Sequence, residues 1–190
     1  MTRGVVVAAV NDAPAIAFTA GTAQTYTEDG SPVLVLADAS FAITDVDNGS
    51  FNNGALQVTI KAGGATTDRL TVVAGNGVTL GAGANAAQVF YNIGGTATLV
   101  GTLSSVTAST SLKITFNSAA TVAAVNAVAK QVGYSTTSQD PSPATSRTIG
   151  FTFFDGLAWN TGGEAVQPVA VQPVNDAPVV KLATTVGSWT

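Results

Sequence analysis

The pentapeptide Val10-Asn11-Asp12-Ala13-Pro14 returns unchanged as Val174-Asn175-Asp176-Ala177-Pro178, 164 residues further along. A repeat at that distance places one unit of domain size between two equivalent joints. Each copy lies between apolar runs, the first followed by Ala15-Ile16-Ala17-Phe18 and the second by Val179-Val180-Lys181-Leu182. The closing proline fixes φ and lacks an N–H, so a strand cannot run straight through either joint. The chain is therefore expected to divide three ways. Residues 1–10 are the end of a preceding unit or a linker strand, residues 11–174 one full unit, and residues 175–190 a linker with the first strand of a following unit. The apolar segment Val5–Val10 is read as a strand, because it is too short to span a bilayer and shows no small-residue cleavage pattern before Asn11.

Between the joints, strand-like segments alternate with clusters of Gly, Asn and Asp. They are Val33–Leu36, Phe41–Thr44, Ala55–Lys61, Arg69–Val73, Val78–Leu80, Ala87–Ile93, Ala97–Val100, Leu112–Phe116, Thr148–Phe154 and Glu164–Val171. Gly63-Gly64, Gly75-Asn76-Gly77, Gly81-Ala82-Gly83 and Gly94-Gly95 are placed to form turns. One helix is expected over about 119–131, where Val122, Val125, Val128 and Val132 recur at helical spacing; Ser118 or Thr121 would cap it and Gly133 would end it. With 46% hydrophobic and only 9% charged residues, the chain has material for a large core but little for charged helical surfaces. An all-β protein with Thr, Ser, Asn and Gly on its outer faces follows.

Composition also removes function classes. Seven basic against eleven acidic residues give a net charge of −4, and no Lys/Arg cluster is present to neutralise phosphates, so nucleic acid is not an expected partner. Without His or Cys there is no Ser-His or Cys-His base, zinc knuckle or disulfide framework. A carboxylate pair for glycoside hydrolysis remains possible chemically, but the acidic residues fall in linkers and loop motifs, and the chain is read as no enzyme. No membrane insertion is expected either.

The motifs occur in a recognisable order: Val-Asn-Asp-Ala-Pro, Tyr26-Thr27-Glu28-Asp29-Gly30, Thr44-Asp45-Val46-Asp47, Phe151-Thr152-Phe153-Phe154-Asp155-Gly156, and Val-Asn-Asp-Ala-Pro again. That order resembles the cadherin-like tandem repeats of giant bacterial RTX-type adhesins. The stretch from Asn117 to Val125, followed by Val132-Gly133-Tyr134-Ser135 and Arg147-Thr148-Ile149-Gly150, is similar to a helix-bearing variant related to chondroitin-sulfate-proteoglycan-type repeats. The resemblance implies an immunoglobulin/cadherin-like antiparallel β-sandwich with one short inserted helix and calcium at the repeat junctions. It also implies a secreted or cell-surface location with a role in adhesion, biofilm or surface architecture. The chain departs from that pattern in having Ala and Val where bulkier Leu is usual in the helix, and in ending before a second Glu-Asp-Gly.

Seven of the eleven acidic residues, Asp12, Glu28, Asp29, Asp45, Asp47, Asp155 and Asp176, fall within these motifs. Calcium takes six to eight oxygens from carboxylates, carbonyls and water, a requirement that short acidic residues on several loops suit. Asp29 and Asn48 are read as turn residues. Asp45 and Asp47 are read as facing one side of an extended segment, a like-charge pair that needs a cation or a donor between its members. If the first strand runs away from the first joint and the next returns, Asp12, Asp45, Asp47 and Asp155 meet at one end, while Glu28 approaches Asn175 and Asp176 at the other. Trp159 is read either as a loop anchor or as a sugar-stacking surface. The expected partners are neighbouring repeats of the same polypeptide. The alternatives are a glycan bound through Trp159, or like chains paired through the terminal strands Val5–Val10 and Val179–Leu182.

Overall fold

The computed structural model describes residue 4, residues 8–104 and residues 110–178. The segment Val179–Leu182, the first half of Val5–Val10 and Trp189 lie outside the described residues, and the described Ala8, Ala9 and Val10 belong to no strand. The chain is an all-β sandwich with one short helix. Its larger layer is an eight-stranded sheet in the order β2 (Gln24–Thr27), β13 (Ala165–Gln172), β12 (Arg147–Phe154), β5 (Ala55–Ala62), β10 (Ser111–Phe116), β9 (Thr96–Leu103), β8 (Gln88–Ile93), β7 (Val78–Leu80). The remaining strands form the pair β1 (Ala15–Thr19) with β4 (Ser40–Thr44), and a three-stranded sheet of β3 (Val33–Leu34), β11 (Val132–Thr136) and β6 (Asp68–Val72).

Alternating side chains produce this layering. Leu112, Ile114 and Phe116 of β10 and Ile149, Phe151 and Phe153 of β12 are buried, while Lys113 and Thr152 between them face outward. Aromatic contacts join the layers: Phe41 of β4 meets Phe151 at 5.6 Å, and Tyr26 of β2 meets Tyr134 of β11 at 5.7 Å. The β8–β9 hairpin turns on Gly94 and Gly95, both at positive φ (60° and 91°), the pair of conformations a two-residue turn between twisted strands requires.

Helix α1 (Val122–Lys130) starts where Thr121 accepts a hydrogen bond from the Ala124 N–H, and it buries Ala124, Val125, Val128 and Ala129. It ends earlier than the valine spacing predicts. Val132 opens β11, because pairing with β3 and β6 captures the chain directly after Gln131. Gly133 is accordingly a strand residue and not a helix stop. A Cβ there would lie 2.6 Å from Val73 Cγ2 and 3.2 Å from Pro32 Cβ, so the close packing of the strand accounts for the glycine.

Two buried or half-buried amides stand in for missing strand neighbours. Asn126 of α1 accepts from Ile43 N–H (2.7 Å) and donates to Ile43 C=O (2.9 Å), completing the free edge of β4. Gln167 of β13 accepts from Gly21 N–H (3.0 Å) and donates to the Gly21 and Thr22 carbonyls, at the point where the first strand leaves β4 for the other layer. That crossing makes β2 parallel to β13, the one parallel pair among the described strands of a sandwich expected to be antiparallel.

Candidate metal centres at the two joints

Antiparallel pairing of β1 with β4, with Ala15 opposite Thr44, sets Asp12 beside the segment Asp45–Asn48 just beyond the strand ends. The loop following β12 closes on the same spot, since Thr161 N–H donates to Pro14 C=O (2.8 Å). Asp12, Asp45, Asp47 and Asp155 thereby gather at one end as the strand directions predict. The contacts are specific: Asp47 accepts from the Asp12 N–H, and Asn11 donates to Asp155 Oδ2 (3.0 Å). Asn48 donates to both Asn11 Oδ1 (3.3 Å) and Asp45 Oδ2 (3.2 Å).

The Asp45–Asp47 segment is not extended. Asp45 Oδ1 accepts from the N–H groups of Asp47 (2.9 Å) and Asn48 (2.8 Å), which bends the chain into a turn and supplies donors to one member of the pair. Asp155 is buried and hydrogen-bonded at both oxygens, its Oδ1 accepting from Leu157 and Ala158 N–H (2.6 Å each) and its Oδ2, among the described residues, from Asn11 alone. Burial alone would raise its carboxyl pKa, but the hydrogen bonds from Asn11, Ala158 and Leu157 outweigh that and hold it below the ordinary value. A depressed folded-state pKa contributes stability that is present above the unfolded value, about 3.9, and is lost as pH falls through the folded value. Wild-type protein should thus lose melting temperature on acidification below about pH 4, and Asp155→Asn should flatten that part of the profile.

Glu28 follows β2 to the opposite end, carried there by the β2–β13 pairing. It is 4% exposed; Oε2 accepts from Val174 N–H (2.8 Å), while Oε1 is buried without a partner among the described residues. Glu28 thus touches the residue immediately before Asn175 and Asp176, both exposed. Asp140, read from sequence as ordinary loop, lines a cleft with Gln139, Val174, Asn175 and Asp176. Asn11, Asn48 and Asp140 are the site residues that sequence reasoning missed. Membership of the repeated pentapeptide was the available signal for Asn11, whereas nothing local marks Asp140.

Among the described residues, no basic side chain is paired with the carboxylates of either joint. The ion pairs among the described residues are Lys61–Glu164 and Arg147–Asp68, both elsewhere. Nor, among the described residues, do three carboxylates come close enough to form a metal-holding group by themselves. The buried, unpartnered Oε1 of Glu28 fits a cation, and at the first joint Asp12, Asp47 and the Asn11 carbonyl are oxygen donors of the kind calcium accepts. Trp159 combines its two expected characters, packing against Phe154 (centroids 5.2 Å apart) while remaining 50% exposed. Comparison of the chain with protein-family models, curated proteins and solved structures finds no match.

Proposed function

We propose that this chain is a calcium-rigidified structural repeat of a large secreted or cell-surface bacterial protein, a spacer in an adhesin, biofilm or surface layer, without enzymatic activity. One observation carries the reading. The two copies of Val-Asn-Asp-Ala-Pro lie at opposite ends of the sandwich, and each is contacted by acidic side chains that have no basic partner among the described residues, Asp47 and Asp155 at the first and Glu28 at the second. In a tandem array each linker would then meet a Glu28 from the unit before it and an Asp45, Asp47 and Asp155 from the unit after it. Asp12, Asp45, Asp47 and Asp155 would hold an ion at the first joint, and Glu28, Asn175 and Asp176 at the second. Bound calcium supplies the positive charge that keeps these carboxylates from repelling one another and so stiffens the linker. No helix among the described residues is long and apolar enough to cross a membrane.

Melting in calcium, in magnesium and in chelator tests the reading. At calcium about 100 times Kd the gain is about 2.7 kcal/mol, a rise of roughly 5–11 °C for a domain of this size. Magnesium should give much less, because it demands octahedral geometry that flexible loop oxygens do not supply. Glu28→Gln should lower the calcium gain while melting no lower than wild type in chelator, since it removes an uncompensated buried charge. Three coincident wild-type curves would sink the calcium proposal.

A further inference from the structure

The outer face of the large sheet carries a groove of about 300 Å³ lined by Gln57, Thr152, Trp159, Asn160, Gly163 and Glu164. It lies on β5, β12 and the loop between β12 and β13, and none of the carboxylates assigned to the joints lines it. Its aromatic wall is set before any ligand arrives. Trp159 rests on Phe154 and its backbone bridges to that residue, leaving the tryptophan half exposed. Asn160 fixes the loop, accepting from Phe153 N–H (2.8 Å) and donating to Gly163 C=O (2.6 Å). Lys61 steers Glu164 through an ion pair at 3.2 Å, and the carboxylate lies across Gly150, whose Cβ would fall 2.2 Å from Oε1.

We propose that this groove binds a neutral saccharide, one pyranose ring stacked on Trp159 and its hydroxyls read by Gln57, Thr152 and Glu164. A pyranose has an apolar C–H face and an edge of groups that both donate and accept. The groove offers one open aromatic face, an amide and a hydroxyl that each donate and accept, and a carboxylate that accepts. Charge argues for neutrality of the ligand. The one charged side chain among the residues that line the groove is the Glu164 carboxylate, with which Lys61 is paired, and the chain as a whole carries −4, which disfavours sulfated or uronic sugars even with Lys113 opposite Gln57 on the neighbouring strand. A shallow site of this size takes one or two rings and binds weakly, so useful adhesion would come from many copies along one polypeptide.

The test is an array of immobilised neutral and acidic oligosaccharides probed with the full chain in calcium, followed by fluorescence titration of the strongest neutral hit. Trp189→Phe is used as background, so that Trp159 is the only reporter. Binding to a neutral oligosaccharide with a change in Trp159 emission is the expected result. Trp159→Ala should weaken it about tenfold or more. Gln57→Ala, on an exposed strand position where the fold is not at stake, should weaken it about threefold with melting unchanged. Absence of any neutral hit, binding confined to acidic glycans, or affinity indifferent to both substitutions overturns the assignment. These outcomes are independent of the melting test, because the array is read with calcium present throughout.

Discussion

Asp68→Ala should destabilise the domain by about 3–5 kcal/mol, enough to unfold a protein of ordinary stability under mild denaturant. Asp68 and Arg147 are 0% and 3% exposed and form an ion pair at 3.1 Å between the first residues of β6 and β12. The carboxylate also accepts from Tyr134 Oη (2.7 Å) and Ala65 N–H (2.8 Å). Burial and the hydrogen bond to Asp68 push the Tyr134 phenol far above its ordinary pKa, so it stays a donor at any physiological pH. Removing the carboxylate leaves an arginine buried with its Nε unpaired, although its Nη1 keeps the carbonyls of Ser142 and Thr145. Tyr134→Phe, which deletes one neutral donor, should cost only about 1 kcal/mol. Urea denaturation of the three proteins measures both effects. An Asp68→Ala loss below that of Tyr134→Phe would mean that water reaches Arg147 and the pair is not structural.

Val125→Asp should abolish cooperative unfolding altogether. Val125 is fully buried on the face of α1 that packs against β4, with Ala124, Val128 and Ala129 beside it. An aspartate there has no basic partner within the described core, so the helix must leave the sandwich or the sandwich must open. Detachment would also strip Asn126 from the edge of β4, exposing the Ile43 N–H and C=O that it satisfies, so one substitution breaks two supports. Val125→Ala removes only apolar contacts and should cost roughly 2 kcal/mol while the transition stays sharp. Near-ultraviolet circular dichroism and thermal melting distinguish these outcomes. A normally folded Val125→Asp protein would show that the helix is dispensable to the core.

Features that the sequence determined by itself are those written in short stretches of chain. Period-two alternation of Leu56, Val58 and Ile60 marked β5, apolar runs between turn clusters marked β10 and β12, paired glycines marked the β8–β9 turn, and scarce charge with abundant Thr, Ser and Gly pointed to an all-β fold. Strand direction alone was enough to send Asp12, Asp45, Asp47 and Asp155 to one end and Glu28 to the other, because both deductions used only the first two and last two strands. Where a residue suited two structures, local pattern failed. Val132 continues the helical spacing yet begins β11, and Gln24–Thr27, with one large apolar residue, carried too little alternation to be read as β2.

Only the tertiary structure decided which distant segments became neighbours. The parallel register of β2 with β13 joins Gln24 to Val169, Gln167 satisfies the Gly21 backbone, Asp68 neutralises Arg147, and Asp140 comes to line a cleft with Asp176. Each of these contacts rewards a polar or charged group for a partner far away in sequence. Its energy depends on burial and geometry that exist only once both layers have closed, so no window of sequence contains the information.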